Sequence, residues 1–476
     1  MAREAAPSAL QPDAQAWRDA AARALKGGPF ERLVTRTLEG LEIEPLYDAD
    51  TAPPRSSVLG RARREPGWDI RACVDHPDPA RANDLALEAL RGGCASILLR
   101  IDPTGRDDVA LALEGVLLDA APVAVDAGFR GPLVAQWLGE LAKGAPAAAL
   151  AFHLDPLGAF AEAGESPGPI EAHIGKSAEA AVRLGRTYPR ASLFLASGRV
   201  VYEAGGSAVQ ELGVMAAAAL AYVKALAAAG LSVEEAFARL TLGLAVDADV
   251  LVSLAKVRAA RELWGRLAAA CGAAAPARIE ARSSARMLTA VDPWTNLLRL
   301  ALAGFAGAAG GADVLVLGAF TDALGRPAEP ARRLARNTQL ILMQEAGLAH
   351  VEDPAAGAWA IEALTDQLAR QAWGVFQAIE RQGGLIAALS SGLIAVDVGK
   401  VCEARRAAIA GAELSILGVS LYPDLDPAPV TVDDAETIPV AAPPDVRMPG
   451  PDSRCPPLRP HRIAETAELV CEDLTA

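Results

Sequence analysis

The chain is poor in histidine, cysteine and positive charge, and each shortage excludes a class of function. Its 476 residues contain only five histidines and six cysteines, and neither type forms the closely spaced pairs that bind zinc. Lys and Arg number 45 against 59 Asp and Glu, so the formal net charge is −14. Nucleic acids and anionic membranes require a basic surface, and we expect neither as a partner. The scattered cysteines favour a reducing compartment, so we expect a cytoplasmic protein.

Common catalytic motifs and targeting segments are also missing. The sequence contains no G-x-S-x-G, no P-loop, and no G-x-G-x-x-G after an early strand. Its amino-terminal segment lacks the apolar core of a secretion signal. The longest apolar stretch, residues 213–230, is mostly alanine and contains Lys224. We therefore expect a helix packed inside the protein there, and no membrane span.

The sequence does contain a regular alternation of strand-like and helix-like segments. Eight short apolar runs predict buried strands at 96–101, 122–125, 148–152, 192–196, 241–246, 278–281, 314–317 and 348–351. Helix-like segments lie near 81–91, 106–114, 131–142, 176–187, 206–229, 249–270, 294–308, 331–346 and 357–382. This alternation predicts a parallel α/β architecture. Eight units favour a (β/α)8 TIM barrel over an open doubly wound sheet.

Composition divides the chain into three segments. Residues 1–60 are too short to form a core and are expected to be an N-terminal extension that contacts another subunit or the main domain. Residues 61–422 contain the barrel. Residues 423–476 form a Pro-rich strap, since 423–460 hold eleven of the 33 prolines. A short helix is predicted at 463–474, either solvated or docked onto the barrel or a partner.

The residues alone suggest only weak candidates for a site. His153 and His350 sit at the ends of predicted strands, where the active sites of barrels lie. His153 could be a general base, although a structural hydrogen bond is the more common role of a loop histidine. Asp155 and Asp353 each precede a proline and are typical turn formers. The pair Gly205-Gly206 could expose helix-start amides to an anion.

Several blocks of sequence resemble methylmalonyl-CoA mutases. They read TLEGLEIEPLY (37–47), GWDIR (67–71), SGRVVYEAG (197–205), AKVRAARELW (255–264), RNTQLILMQE (336–345) and DPAAGAWAIEALT (353–365). Together they extend the resemblance over roughly residues 30–420 of a (β/α)8 acyl-CoA-binding barrel. The family rearranges the carbon skeleton of a CoA thioester, and adenosylcobalamin supplies the radical chemistry while the protein binds and shields.

The resemblance also implies that the catalytic groups are degenerate in this chain. Cys73 stands where the family has a tyrosine that contacts the substrate. Val200 stands where a family histidine hydrogen-bonds the thioester carbonyl. Leu154 aligns, more loosely, with an active-site glutamine. Because these replacements remove polar groups, we expect no catalytic, cofactor-binding or metal-binding residue here, and a barrel filled by Leu154 and Val200.

The family member that this pattern resembles most is the small, non-catalytic subunit, in a shortened form without a cobalamin-binding-like domain. The resemblance implies a heterodimer in which the large catalytic subunit binds the acyl-CoA substrate and adenosylcobalamin. Two alternatives remain open at this point. One is a non-obligate scaffold or regulatory protein of the mutase. The other is an independent enzyme that acts on a CoA thioester through Cys73 or His153.

Overall fold

The computed structural model describes residues 14–38, 40–48, 66–145, 147–424, 428–433 and 450–468. Eight parallel strands close into a barrel, in which each strand pairs with the next and the last pairs with the first. We number them β1 Asp69–Asp75, β2 Ser96–Arg100, β3 Val123–Val125, β4 Leu150–Leu154, β5 Ser192–Ser197, β6 Leu240–Val246, β7 Ile279–Ser283 and β8 Val314–Val316. The predicted (β/α)8 TIM barrel is confirmed.

Helices surround the barrel and connect its strands. They are α1 Ala14–Ala24, α2 Pro79–Arg91, α3 Arg106–Ala112, α4 Gly131–Leu141, α5 Pro156–Ala163, α6 Ile170–Thr187, α7 Arg199–Glu203, α8 Ala208–Ala228, α9 Val233–Ala238, α10 Val250–Ala270, α11 Asn296–Ala309, α12 Glu329–Leu340, α13 Trp359–Arg381, α14 Leu385–Ser390 and α15 Leu393–Ala410. A π-helical turn, Ile341–Glu345, extends α12.

Seven of the eight predicted strands occur close to their predicted positions, and one prediction is wrong. The run at 348–351 forms a short 3-10 helix, Leu348–His350. It lies at the amino-terminal end of the barrel, opposite the carboxyl ends of the strands, since Ala349 lies against Gly67 just before β1. The missing eighth strand is β1, which the apolar-run criterion does not detect. Its apolar residues Ile70 and Val74 face the helices, and charged residues alternate with them.

The interior of the barrel is filled in its amino-terminal part. Side chains of Asp69, Arg71, Ser96 and Glu280 form a buried, hydrogen-bonded polar layer there. A second layer, nearer the carboxyl ends of the strands, consists of the apolar side chains of Leu98, Ala124 and Ala151. These layers close the barrel below the level at which the strands end, as in other barrels of this class.

Two terminal segments pack on the barrel. Thr35–Arg36 and Glu42–Ile43 pair as a small hairpin beside α13, where Gln367 bonds the backbone at Glu42. Residues 450–468, called here the capping segment, cross the carboxyl ends of the strands. They include the described beginning of the predicted terminal helix, and the remainder of that helix lies outside the described residues.

Helix α8 covers the apolar stretch that the sequence analysis singled out. Among the described residues it is the one helix of sufficient length and apolarity to cross a membrane. About two thirds of its apolar window (67%) is buried, and it packs against β5, α10 and α13. This burial agrees with the expected packed helix.

Candidate functional site

A cavity of about 440 Å³ lies where the barrel strands end, above the two filled layers. Its walls carry unusually many charged side chains, namely Arg100, Asp126, Glu162, Arg199, Glu203, Arg282 and Asp322. Leu458 and Pro460 of the capping segment form part of its lining. In a (β/α)8 barrel this end is where active sites are built, so the cavity is the candidate functional site.

Glu280 is the centre of the charged network below the cavity. Its carboxylate accepts hydrogen bonds from Arg71 Nη1 at 2.6 Å and from Arg282 Nε at 2.7 Å. Arg282 Nη1 also donates to Asp126 at 3.1 Å. Burial raises the pKa of Glu280, but the positive charges of Arg282 and Arg71 and the hydrogen bond from Arg282 lower it by more, so the net pKa lies well below the ordinary range. The arginines are thus already paired with carboxylates.

His153 points into the barrel and lies against this network. Its Nε2 is 3.7 Å from the Glu280 carboxylate, and it is only 4% exposed. Neither ring nitrogen has a hydrogen-bond partner among the described residues. Burial lowers the pKa of His153 to about 4, although Glu280 opposes that shift. The ring is therefore neutral at pH 7, and its base strength is too low for a general base that works near neutrality.

Cys73, at the inner side of β1, faces the cavity directly. The surrounding protein raises the pKa of its thiol to about 11 by burial, and the nearby Arg100 opposes the increase only in part. A protonated thiol is a poor nucleophile, because the thiolate is the reactive form. The side chain is exposed to the cavity, but its raised thiol pKa gives no support to new covalent chemistry at this residue.

The structure places Cys73 and Val200 at one cavity but separates Leu154 from them. Val200, on α7, lines the cavity. Leu154 belongs to the core between the barrel and its helices, where it packs against Gly131 of α4. The expectation that Leu154 and Val200 fill the barrel is therefore wrong: charged groups and small apolar residues fill its lower part, and a cavity remains above them.

Alternation along β4 explains why Leu154 points outward. Ala151 belongs to the inner layer, whereas Phe152 and Leu154 belong to the core between the barrel and its helices. Successive side chains of a strand point to opposite faces, so His153 faces the interior and Leu154 does not. The positive φ of 41° at His153 and the register shift between Ala151 and Leu154 leave this order unchanged.

Two carboxyl groups in the cavity wall have strongly raised pKa values. Burial raises the pKa of Asp155 and of Asp322 to about 7. Asp155 accepts a hydrogen bond from the Tyr222 hydroxyl at 2.5 Å and from the amide of Gly158, so it also begins α5. This agrees with the predicted turn-forming role. Asp322 was missed, and its only signal is an acidic residue shortly after a strand.

The other sequence candidates have structural roles away from the cavity. His350 lies at the amino-terminal end of the barrel, opposite the cavity, because the predicted strand at 348–351 does not form. Asp353 forms an ion pair with Arg258 of α10. At Gly205-Gly206, the carbonyl groups accept hydrogen bonds from Arg405 and Arg286.

The glycine pair and the amino end of α8 are bonded within the protein. The amides of Gly205 and Gly206 donate to the carbonyls of Tyr202 and Val201, and Ser207 and Gln210 form a reciprocal capping box. The anion site suggested by the glycine pair is thus not formed. Within the described ranges, no group of three His, Cys, Asp or Glu side chains is arranged to hold a metal ion.

Comparisons with known proteins agree with this fold. The family model described as methylmalonyl-CoA mutase matches residues 99–441. A methylmalonyl-CoA mutase small subunit from Streptomyces virginiae is 39% identical over 442 residues, which cover 89% of this chain and 71% of that protein. A probable methylmalonyl-CoA mutase small subunit from Mycobacterium bovis is 36% identical over 447 residues, 86% of this chain and 71% of the relative.

A third relative extends the comparison to a more distant organism. The methylmalonyl-CoA mutase small subunit of Propionibacterium freudenreichii subsp. shermanii is 31% identical over 418 residues, which are 83% of this chain and 64% of that protein. The family-model match at residues 99–441 includes β3 to β8. The fold, the family model and these relatives together show that the chain belongs to the methylmalonyl-CoA mutase family.

Proposed function

We propose that this chain is the small subunit of a heterodimeric, adenosylcobalamin-dependent methylmalonyl-CoA mutase of the cytoplasm. In this proposal the chain is catalytically silent and stabilises a large catalytic subunit. The complex interconverts methylmalonyl-CoA and succinyl-CoA, and the large subunit binds both substrate and cofactor. Three relatives whose names contain "small subunit" support this assignment.

The observation that carries the proposal is the chemistry of the cavity. A site for a thioester needs hydrogen-bond donors directed at its carbonyl oxygen. Val200 offers none, and Cys73 offers only a weakly polar thiol. The strong donors at the cavity face carboxylates within the protein: Arg71 and Arg282 bond Glu280 and Asp126, Arg100 bonds Asp75, and Arg199 lies 3.8 Å from Glu203. Redirecting them to a substrate would leave buried carboxylates unpaired, which is costly.

The described residues do not fit bound cobalamin either. The capping segment lies across the strand ends, and its backbone bonds to Ala161, Gly164 and Arg286. Among the described histidines, His153 is buried beneath the cavity, His350 lies at the other end of the barrel, and His461 contacts Cys402 at 3.1 Å. We therefore assign no cofactor contact to this chain and derive no reaction step in it.

A silent subunit can still contribute a rigid surface. The barrel is closed, its lower layers are packed, and its core extends without interruption from the strands to the surrounding helices. A preorganised partner stabilises whatever folded form it binds, in proportion to its affinity and concentration. This is the physical basis for the stabilising role in the proposal.

The test is affinity purification of the full chain, expressed with a tag at native levels in its own organism. We expect a partner of larger mass, in a one-to-one ratio, together with one cobalamin per complex by absorbance. The complex should isomerise methylmalonyl-CoA, whereas the chain purified alone should not. A chain that elutes alone and free of cobalamin would refute the proposal, and a transient substoichiometric complex would favour the scaffold alternative.

A further inference from the structure

Helix α11 has an outward face that lacks charged residues. Leu298 is 63% exposed on this face, and Leu302 and Phe305 are each more than a third exposed. An outer helix of a barrel usually presents a polar face to solvent, as α6 does with Glu171 and Lys176. An apolar outer face indicates a surface that another structure covers.

The one charged residue of α11 is already used within the protein. Arg299 donates to Thr289 and Asn296, and its Nη2 donates to the carbonyl of Leu417 at 2.6 Å. That bond holds the loop around residues 414–422 beside the start of α11. Leu417, Leu421 and Tyr422 of this loop are exposed, Tyr422 to 79%. The loop therefore continues the apolar face of the helix.

These side chains form one candidate interaction surface, called here the α11 surface. Its members are Trp294, Leu298, Leu302, Phe305, Leu417, Leu421 and Tyr422. Their exposed area is about 700 Å², close to the roughly 800 Å² that each partner contributes to a standard protein–protein interface. A surface of this size and composition, rich in Leu and aromatic residues, is typical of a stable subunit contact.

We propose that the α11 surface is the docking site for the large mutase subunit. This inference rests on the proposed function, and it adds the location of the contact. The names of the relatives imply a larger partner. A second copy of this chain is a poorer occupant, because each copy carries a formal net charge of −14 and like charges oppose association.

The test replaces two leucines of the surface by glutamate, as the double variant Leu298→Glu/Leu302→Glu, in the tagged full chain. The matched control is Leu111→Glu/Leu117→Glu, which adds the same charge at two exposed leucines on another side of the barrel. Circular dichroism and thermal unfolding should show that both variants fold like the wild type. We expect the α11 variant to lose at least tenfold of the co-purified large subunit, and the control to retain it.

The possible outcomes separate this inference from the proposed function. If wild type and both variants recover the large subunit equally, the α11 surface is not its docking site, and the proposed function stands. If the wild type recovers no large subunit, the proposed function fails and this inference fails with it. If light scattering shows that the wild type alone is a dimer and that only the α11 variant is a monomer, a second copy is the occupant and the inference is overturned.

Discussion

At the scale of single residues, Glu280 neutralises two buried guanidinium groups. Replacing it as Glu280→Gln leaves Arg71 and Arg282 without their shared carboxylate in a site that water does not reach. Removing one partner from a buried ion pair costs about 3–5 kcal/mol. We expect a loss of that size in the free energy of unfolding, measured by urea denaturation at pH 7.

A control for this substitution exists at the protein surface. Glu42 forms an ion pair with Arg36 in the N-terminal hairpin, and both side chains are more than half exposed. Glu42→Gln makes the same chemical change where solvent screens the charges, so the loss should be under about 1 kcal/mol. Equal losses for the two variants would show that the Glu280 network does not stabilise the barrel.

His153 predicts a dependence of stability on pH. Its folded pKa is lowered from 6.5 to about 4, so between these values the unfolded chain binds a proton that the folded protein does not. Stability must therefore decrease as pH falls from about 7 to 4, by roughly 3 kcal/mol for this residue. The variant His153→Asn removes this contribution, and asparagine tolerates the positive φ at that position.

Comparing the His153→Asn variant with the wild type isolates the effect of His153. Other groups, including the raised carboxyls of Asp155 and Asp322, change stability in the opposite direction in the same range, but they are present in both proteins. The difference in unfolding free energy between variant and wild type should therefore grow in favour of the variant below pH 6.5 and stay constant above pH 7. A constant difference over the whole range would contradict the prediction.

The positions of the candidate residues could be predicted from sequence only in part. Cys73 and Val200, which the aligned blocks single out, both line the cavity. Leu154 does not, because the looser alignment selects the residue next to the inward-facing His153, and alternation along β4 turns Leu154 toward the helices. The buried charges of Glu280 and Arg282 carried no recognisable motif, although they dominate the electrostatics of the site.

At the scale of elements, the capping segment is held by the buried side chains of Cys455, Leu458 and Ala464 and by several hydrogen bonds. Leu458 is buried, and its amide donates to the carbonyl of Ala161. The variant Leu458→Ala should destabilise the protein by about 3 kcal/mol and free the segment before the barrel unfolds. Hydrogen exchange should increase at the amides of Cys455, Leu458 and Ile463, while the amides of the barrel strands remain protected.

A neighbouring residue provides the control for the capping segment. Arg459 is exposed, so Arg459→Ala removes a long side chain without disturbing the buried anchor. Exchange in this variant should match the wild type. If Leu458→Ala increases exchange equally in the segment and in the strands, the segment is not a separate unit of local opening, and its attachment is as stable as the barrel.

The elements themselves were predictable where hydrophobic pattern and secondary structure agree. Seven strands read as short apolar runs because both of their faces are covered, by helices outside and by packed side chains inside. Strand β1 did not, since its inner residues Asp69 and Arg71 belong to the buried polar layer. The run at 348–351 satisfied the same criterion falsely, because a short apolar segment can also form a partly exposed turn.

At the scale of the whole molecule, the blocks that resemble the family are largely the ones that hold the barrel together. Trp68 donates to Gln339, which joins the blocks before β1 and in α12. Arg258 of the block in α10 pairs with Asp353 and Glu362 of the block at 353–365. These buried contacts hold the blocks together independently of the side chains that line the cavity.

The rigid packing of the barrel predicts how the subunit behaves in a complex. If the barrel serves mainly as a rigid partner, binding must raise its own thermal stability, because a partner that binds only the folded form contributes about 2.7 kcal/mol at a hundredfold excess over its dissociation constant. Scanning calorimetry of the purified complex should therefore show a higher unfolding temperature than the isolated chain, increasing with protein concentration. The Leu298→Glu/Leu302→Glu variant, mixed with the same large subunit, should unfold at the temperature of the isolated chain. An unfolding temperature of the wild-type complex equal to that of the chain alone would exclude a stabilising role.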